Sequence, residues 1–390
     1  MSLEARGLLR RLPGLCGYLL LLLVVVEVGL QAFYRVTNGA FLFRRNALAL
    51  YVPDPHSVWA VKPNLRAKHQ TPEYTIDLHT NSQGFRVSAA HEEYQPGRDP
   101  SRYRIVLLGP SFAFGWGVKY EDTFAAQLPQ HLAQAGFAAG RRIEVISRGV
   151  PGLPPANNLD WLKTVGRRYQ PDLIIQFAYG SMAASSTPTH LEIHDGYLVY
   201  PNATLASRAK SLSKNSALVF YSWAISSKLR ARHERRKVEG AGRDLTVMTD
   251  FAPNTPEVAD AVALYDDLRR TAQSMGAHVL VMYVPVAFSV HVEDMARWRH
   301  LGVHDGDVER QFVFDRAFME NLEARGVPCV DVTQTLREAA ATSRERMYYW
   351  LDVHWTPAGN AVVAKAVSEF LLADPRWASA LEPARRGAMP

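Results

Sequence analysis

The chain has 390 residues, 47% hydrophobic and 21% charged, a balance that excludes an intrinsically disordered protein and allows a sizeable buried core. Its formal charge of +6 is modest for this length, and no aromatic-interleaved basic stripe accompanies it, so nucleic acid is not an expected partner. The two cysteines, Cys16 and Cys329, sit in no metal-binding or redox spacing, and no disulfide is expected between an apolar N-terminal run and a buried strand.

The segment Leu12 to Phe33 (LPGLCGYLLLLLVVVEVGLQAF) is about as long as the ~20 residues a helix needs to cross a bilayer. Arg6, Arg10 and Arg11 precede it, as expected of a cytoplasmic flank, although Arg35, Arg44 and Arg45 follow soon after. A secretory signal peptide is the competing reading. The length of the run and the want of a small-x-small cleavage site argue against it, and Cys16 comes too early for a lipoprotein site. Glu27 is costly in lipid and has to face a partner, a water defect or the interface. The expectation is a cytoplasmic tip and an uncleaved anchor over 1–34, single-pass in a bacterial inner membrane, with the remainder extracytoplasmic.

Residues 35–100 read as an irregular stalk and lead-in, with Pro53, Pro55, Pro63, Pro72 and Pro96 among polar residues. From Tyr103 the pattern alternates. Arg104–Leu108 reads as a buried strand, Thr123–Ala135 as an amphipathic helix with Asp122 as its cap, and Arg142–Ile146 as a second strand. A helix at Asn158–Tyr169 and a strand at Asp172–Ala178 follow. Residues 180–254 break the alternation and read as an insertion, with a helix around Ala217–Arg236. Val258, Val262, Tyr265, Leu268, Ala272 and Met275 then form one helix face, before a strand at His278–Tyr283. A helix near Val308–Arg325, a short strand at Pro328–Val330 and a last helix at Pro357–Leu371 complete a 101–375 domain, ahead of a 376–390 tail. Strands alternating with helices of this length call for a parallel sheet covered on both faces.

In open α/β sheets ligands bind beyond the carboxyl ends of the strands, which directs attention to three segments. Gly109-Pro110-Ser111-Phe112-Ala113-Phe114-Gly115-Trp116-Gly117 follows the first strand, where a serine hydroxyl can stand at the sheet edge. Alone, such a serine is more often a turn or cap residue. Asp352-Val353-His354 precedes the last helix: imidazole can take a proton from serine near neutral pH, and a carboxylate two residues away can hold its tautomer. The bland alternative makes Asp352 a helix cap and His354 a packing residue. Ser147-Arg148-Gly149-Val150-Pro151-Gly152 follows the second strand, and Gly149 can lend a backbone N–H to an oxyanion or simply turn the chain.

In order and spacing, LLGPSFAFGWGV, SRGVPG and DVHWTPAGNAVVAKAV together resemble the sequence blocks of SGNH/GDSL hydrolases. Lys62-Pro63-Asn64 and Thr80-Asn81-Ser82-Gln83-Gly84-Phe85-Arg86 look like the lead-in of membrane-anchored bacterial members, and the resemblance covers about residues 58–372. It implies a three-layer flavodoxin-like α/β fold with Ser111 as nucleophile, His354 as base and Asp352 as its orienting acid. An oxyanion hole from the N–H groups of Ser111 and Gly149 plus an asparagine side chain is also implied, with no metal or cofactor. Implied substrates are esters of carbohydrates, lipids or peptidoglycan. Related domains, similar to the alginate O-acetylation proteins, acetylate exported polysaccharides, which suggests export or acetylation proteins as partners. Two departures stand out. Pro110 replaces the aspartate before the serine, and Tyr179-Gly180-Ser181-Met182 stands where the family has Asn-Asp, leaving Ser181 as the nearest match to that asparagine.

Other features read as bland. His190, His194 and Asp195 have a spacing that suits a metal but lack a helix-borne ligand pattern. Lys228–Lys237 has the charge to meet anionic headgroups or an acidic glycan but, with Glu234 within it, is expected as a solvated helix face; Asn202 is expected as an unremarkable sequon, and Trp116, Trp223 and Trp355 as packing residues more than sugar platforms. The functional expectation is a Ser–His–Asp esterase or O-acyltransferase. The alternative is a glycan-binding or assembly-scaffold protein that keeps the fold without turnover.

Overall fold

The computed structural model describes residues 3–38, 41–42, 48–71, 73–90, 92–179, 192–194, 196–199, 215–222, 225–226, 229, 256–291, 294, 305–350 and 352–377. Helix α1 (Leu3–Asn38) opens the chain, and its stretch Pro13–Thr37 is long and apolar enough to cross a membrane. Its leucines and valines from Leu19 to Val26 are exposed on the protein.

Residues 35–100 are not the irregular stalk that their prolines suggest. β1 (Tyr51–Asp54) and β2 (Val58–Val61) form a hairpin, and β3 (Arg66–Gln70), β4 (Thr75–Thr80) and β5 (Arg86–Val87) form a three-stranded antiparallel sheet. Strands this short give little period-2 signal. In β4 the alternation is real, with Ile76, Leu78 and Thr80 buried between more exposed neighbours. Pro53 is tolerated because a two-stranded hairpin consists of edge strands alone.

The main sheet has five parallel strands, β6 (Arg102–Gly109), β7 (Arg142–Gly149), β8 (Leu173–Tyr179), β11 (His278–Val284) and β12 (Cys329–Asp331). Their spatial order is β12-β11-β8-β6-β7, the flavodoxin-like order in which the first strand sits between the second and third. A small β9–β10 hairpin (Glu192–His194, Tyr197–Val199) lies between β8 and β11 in sequence. Burial divides by residue parity. Ile105, Leu107, Ile175, Phe177, Leu280 and Met282 face a layer built from α2 (Ser111–Phe114), α3 (Phe124–Gln134), α9 (Thr333–Thr342) and α10 (Pro357–Ala373). Val106, Leu108, Ile174, Val279 and Val281 face α4 (Pro155–Thr164), α6 (Pro256–Gln273) and α8 (Asp305–Ala324). Side chains that point alternately to opposite faces thus need two helical layers.

Most element boundaries differ from the sequence reading by one to three residues, and two helix starts differ in kind. The cap of α3 is Thr123, in extended conformation, whose hydroxyl accepts the Ala126 N–H at 3.2 Å; Asp122 falls one residue early, in a 3-10 turn. The helix expected over Asn158–Tyr169 begins at Pro155 and gives way to a 3-10 turn at Gly166–Tyr169. Of the helix expected at Ala217–Arg236, residues 217–222 (α5), 225–226 and 229 are helical, and the others lie outside the described residues. The short helix α7 (Ala287–Val290) and α9 have no counterpart in that reading.

Candidate active site

The parallel register pairs Gly109 with Gly149, so the carboxyl ends of β6 and β7 bring the first two motif segments side by side. This edge adjoins the switch point between β6 and β8, where an open α/β sheet leaves its binding crevice. Ser111 opens α2, where first-turn N–H groups have no intrahelical acceptor. Pro110 precedes it without a side-chain cap. β7 supports that turn from below: Ser147 Oγ donates to the Ala113 carbonyl at 2.6 Å. A Cβ on Gly149 would stand 2.0 Å from Phe114 N, so only glycine lets the α2 backbone sit this low. α2 ends at Gly115, whose φ of +73° closes the turn in the left-handed region.

Asp352 and His354 lie on a loop whose ends are bridged. Tyr349 N donates to the His354 carbonyl at 3.0 Å, Thr356 N donates to the Met347 carbonyl at 3.0 Å, and Tyr348 pairs with Trp355. The cap of α10 is Thr356, whose hydroxyl accepts from Gly359 N, with Pro357 in the first turn; Asp352 is therefore not a cap. Instead His354 Nε2 lies 2.5 Å from Ser111 Oγ, and His354 Nδ1 is hydrogen-bonded to Asp352 Oδ1. Asp352 Oδ1 also accepts the His354 N–H at 3.1 Å. Phe112 and Trp116 flank the imidazole, with ring centroids 4.8 and 5.9 Å away.

Burial by itself would raise the Asp352 pKa. The neighbouring His354 ring and the hydrogen bonds from His354 and Tyr74 outweigh it and hold the carboxyl well below the usual carboxylate range. The Tyr74 hydroxyl donates to Asp352 Oδ2 at 2.8 Å. Its own ionisation is pushed far up, first by burial and then by the Asp352 charge, so it remains a donor.

Sequence reasoning missed the grip of the lead-in on this site. Glu73 accepts the N–H groups of Trp350 at 2.6 Å and Asp352 at 2.9 Å, bracketing the loop ahead of His354. The fully buried Arg86 donates to the carbonyls of Phe114, Gly115 and Val118, the turn that follows Ser111. Burial pulls its pKa down to about 10, which leaves it charged at neutral pH. Arg148, in the second motif, donates to Ser57 Oγ at 2.7 Å and lies 3.5 Å from Asp54, tying that segment to the β1–β2 hairpin. Arg86 stands in a segment that the sequence singled out, but nothing in the sequence marks Glu73 or Tyr74.

Ser181, His190, Asp195, Trp223 and 230–237 lie outside the described residues, and His194 lies in β9. Trp355 is buried against Phe112, a packing role, whereas Trp116 is partly buried beside His354. Among the described residues, no group of three or more His, Cys, Asp and Glu side chains gathers as a metal would require.

Residues 246–386, a little over a third of the chain, match the family described as "SGNH hydrolase-like domain, acetyltransferase AlgX". The "Probable alginate O-acetylase AlgJ" of Pseudomonas putida is 29% identical over 135 residues, 33% of this chain and 32% of that protein. The match thus spans about a third of the curated relative. Among solved structures, the lipase/acylhydrolase from Enterococcus faecalis superposes with TM-score 0.36 at 14% identity, covering 69% of this chain and 94% of that one. A variant of the acetylxylan esterase Axe2 from Geobacillus stearothermophilus gives 0.37 at 12% identity, covering 69% and 93%. The matched stretch of this chain thus resembles the SGNH hydrolase-like domain of the alginate acetylation proteins and takes in Asp352 and His354, whereas Ser111 and Gly149 lie ahead of it.

Proposed function

We propose that this protein is a membrane-anchored Ser–His–Asp O-acyltransferase or esterase that handles acetyl esters of an extracytoplasmic polysaccharide. The observation that carries the reading is the unbroken hydrogen-bond chain Ser111 Oγ, His354, Asp352, Tyr74. Ser111 Oγ attacks the acetyl carbonyl carbon while His354 Nε2 takes its proton. Asp352 fixes the Nδ1–H tautomer and stabilises the imidazolium. The N–H groups of Ser111 and Gly149, with the Ser181 hydroxyl in place of the family asparagine, receive the oxyanion. His354 then returns the proton to the leaving oxygen, an acetyl-Ser111 ester remains, and an acceptor hydroxyl activated by the same imidazole releases it. A sugar hydroxyl as acceptor gives transfer, and water gives hydrolysis.

The names of the matched proteins, an acetyltransferase and an O-acetylase, favour transfer and point to polysaccharide acetylation or export proteins as partners. The apolar Pro13–Thr37 helix supports a single-pass anchor in a bacterial inner membrane, with the catalytic domain in the periplasm. Acid-quenching the full chain during turnover of p-nitrophenyl acetate tests this reading. An acetyl group on the Ser111 peptide, lost faster on adding a mannuronate oligosaccharide that itself becomes acetylated, is the expected result. A folded protein with no acetyl-serine, yet tight oligosaccharide binding, would move the assignment to a binding or scaffold role.

A further inference from the structure

Glu27 introduces a charge into the apolar face of α1, and its partners come from a segment nearly two hundred residues away. Its carboxylate accepts Ser216 Oγ at 2.8 Å, the Ala217 and Leu218 N–H groups at 2.8 and 2.9 Å, and Gln31 Nε2 at 2.8 Å. The two backbone donors belong to the first turn of α5, so a side chain of one helix caps the next. Gln31 extends the node, donating to the Asn215 carbonyl and accepting the Leu42 N–H, both at 2.9 Å. Above it Tyr34, Leu42, Ala217 and Phe220 close an apolar cluster, with Tyr34–Phe220 and Phe33–Tyr221 ring centroids about 6 Å apart. The segment is thus bolted to the anchor helix by polar and apolar contacts together.

Away from that cluster the segment exposes large apolar side chains: Val219 is 45%, Ile225 57% and Leu229 58% exposed. The exposed apolar side chains of α1 run from Leu15 past the Glu27 node to Val28, Phe33 and Val36, so both the helix and the segment bolted to it carry bare apolar surface at this level. From Pro13 the helix rises about 21 Å to Glu27 and about 30 Å to Phe33 at ~1.5 Å per residue, against a hydrocarbon core of ~30 Å, so the segment's contacts run from the Glu27 node, about 9 Å inside, to the Phe33–Tyr221 and Tyr34–Phe220 pairs at the edge of that core. The sequence continues with Lys228, Arg230, Arg232, Arg235, Arg236 and Lys237, charges suited to anionic headgroups.

We propose that the described residues 216–222, 225–226 and 229 lie in the lipid–water boundary of the membrane that α1 crosses, with Val219, Ile225 and Leu229 among the acyl chains and the Glu27–Gln31 node fixing their depth. This rests on the reading of α1 as a membrane anchor. The segment gives the domain a second membrane contact, which a lone helix free to swivel does not provide.

Depth-dependent quenching in full-length protein tests it. Ile225→Cys, Leu22→Cys and Gln130→Cys, each in a Cys16→Ser background, are labelled with an environment-sensitive fluorophore. The proteins are then reconstituted in phosphatidylethanolamine–phosphatidylglycerol vesicles carrying lipids brominated near the headgroup or near the chain end. The Ile225 label is expected to emit at short wavelength and to be quenched at least twofold more by shallow than by deep bromines. The Leu22 label is quenched by deep bromines, and the Gln130 label by neither. Adding Glu27→Ala is expected to weaken quenching at Ile225 while leaving Leu22 unchanged. Quenching at Leu22 without quenching at Ile225 overturns the inference and keeps the anchor. Short-wavelength emission at Ile225 without quenching assigns that face to a protein partner or a second copy, which also overturns it. Loss of quenching at both positions removes the anchor reading and this inference with it.

Discussion

Tyr74 donates its hydroxyl to Asp352 Oδ2 at 2.8 Å, taking the carboxylate oxygen opposite the one that His354 uses. The bond reaches from the antiparallel lead-in sheet into the loop that carries the Asp-x-His pair. The segment that resembled a stalk is therefore a wall of the site, and it holds the carboxylate plane against the imidazole.

Tyr74→Phe removes one hydrogen bond to a charged acceptor, an interaction worth about 1.5–3 kcal/mol. Because Tyr74 positions a group without touching substrate, kcat should fall by roughly 10-fold or more with KM nearly unchanged. Steady-state kinetics on an acetyl ester check this. A rise in KM at constant kcat would instead place Tyr74 against the substrate.

Arg86→Ala leaves the carbonyls of Phe114, Gly115 and Val118 without their buried donor. Unsatisfied buried acceptors cost about 1–3 kcal/mol each before relaxation, so a loss of about 3–5 kcal/mol in stability is expected, read by urea unfolding. Arg86→Lys keeps the charge but not the two-armed donor, and should fall between the two. Equal stability of all three proteins would show that the turn after Ser111 does not depend on this guanidinium.

Gly149→Ala introduces a methyl group 2.0 Å from Phe114 N, a backbone atom that cannot swing aside. α2 must shift, moving Ser111 away from His354. Activity should fall at least 100-fold, while stability should drop by only about 1–3 kcal/mol, the usual cost of overpacking. Calorimetry and turnover measured on the same preparation separate the two effects.

The depressed pKa of Asp352 fixes a pH dependence. A carboxylate whose folded pKa lies below its unfolded value of 3.8 adds stability that is complete above that value and is lost as pH falls through the folded pKa. The melting-temperature gap between wild type and Asp352→Asn should therefore hold steady from about pH 5.5 down to about pH 4 and narrow only below. A gap already narrowing near about pH 5 would contradict the strong pairing with His354.

Much of this was legible in the sequence because β6, β8 and β11 carry nearly unbroken apolar runs followed by turn residues, as strands buried on both faces must. Ser111, Gly149 and the Asp352–His354 pair were found because each stands immediately beyond a strand or before a helix. The lead-in was opaque because its strands are only two to six residues long, so that even the real alternation of β4 is too short to stand out, and their value lies in long-range bonds. Nothing local in Glu73 or Tyr74 tells of a partner near residue 352. Glu27 was legible only as a cost, since its partners at 216–218 are brought to it by tertiary structure alone.

The most direct test of the central claim is covalent labelling of the full-length protein with a fluorophosphonate, followed by peptide mass spectrometry. A single adduct on Ser111, formed at least 100-fold more slowly in His354→Ala, is the expected result. A folded, monodisperse protein that stays unlabelled at Ser111, or labels equally well without His354, would contradict it.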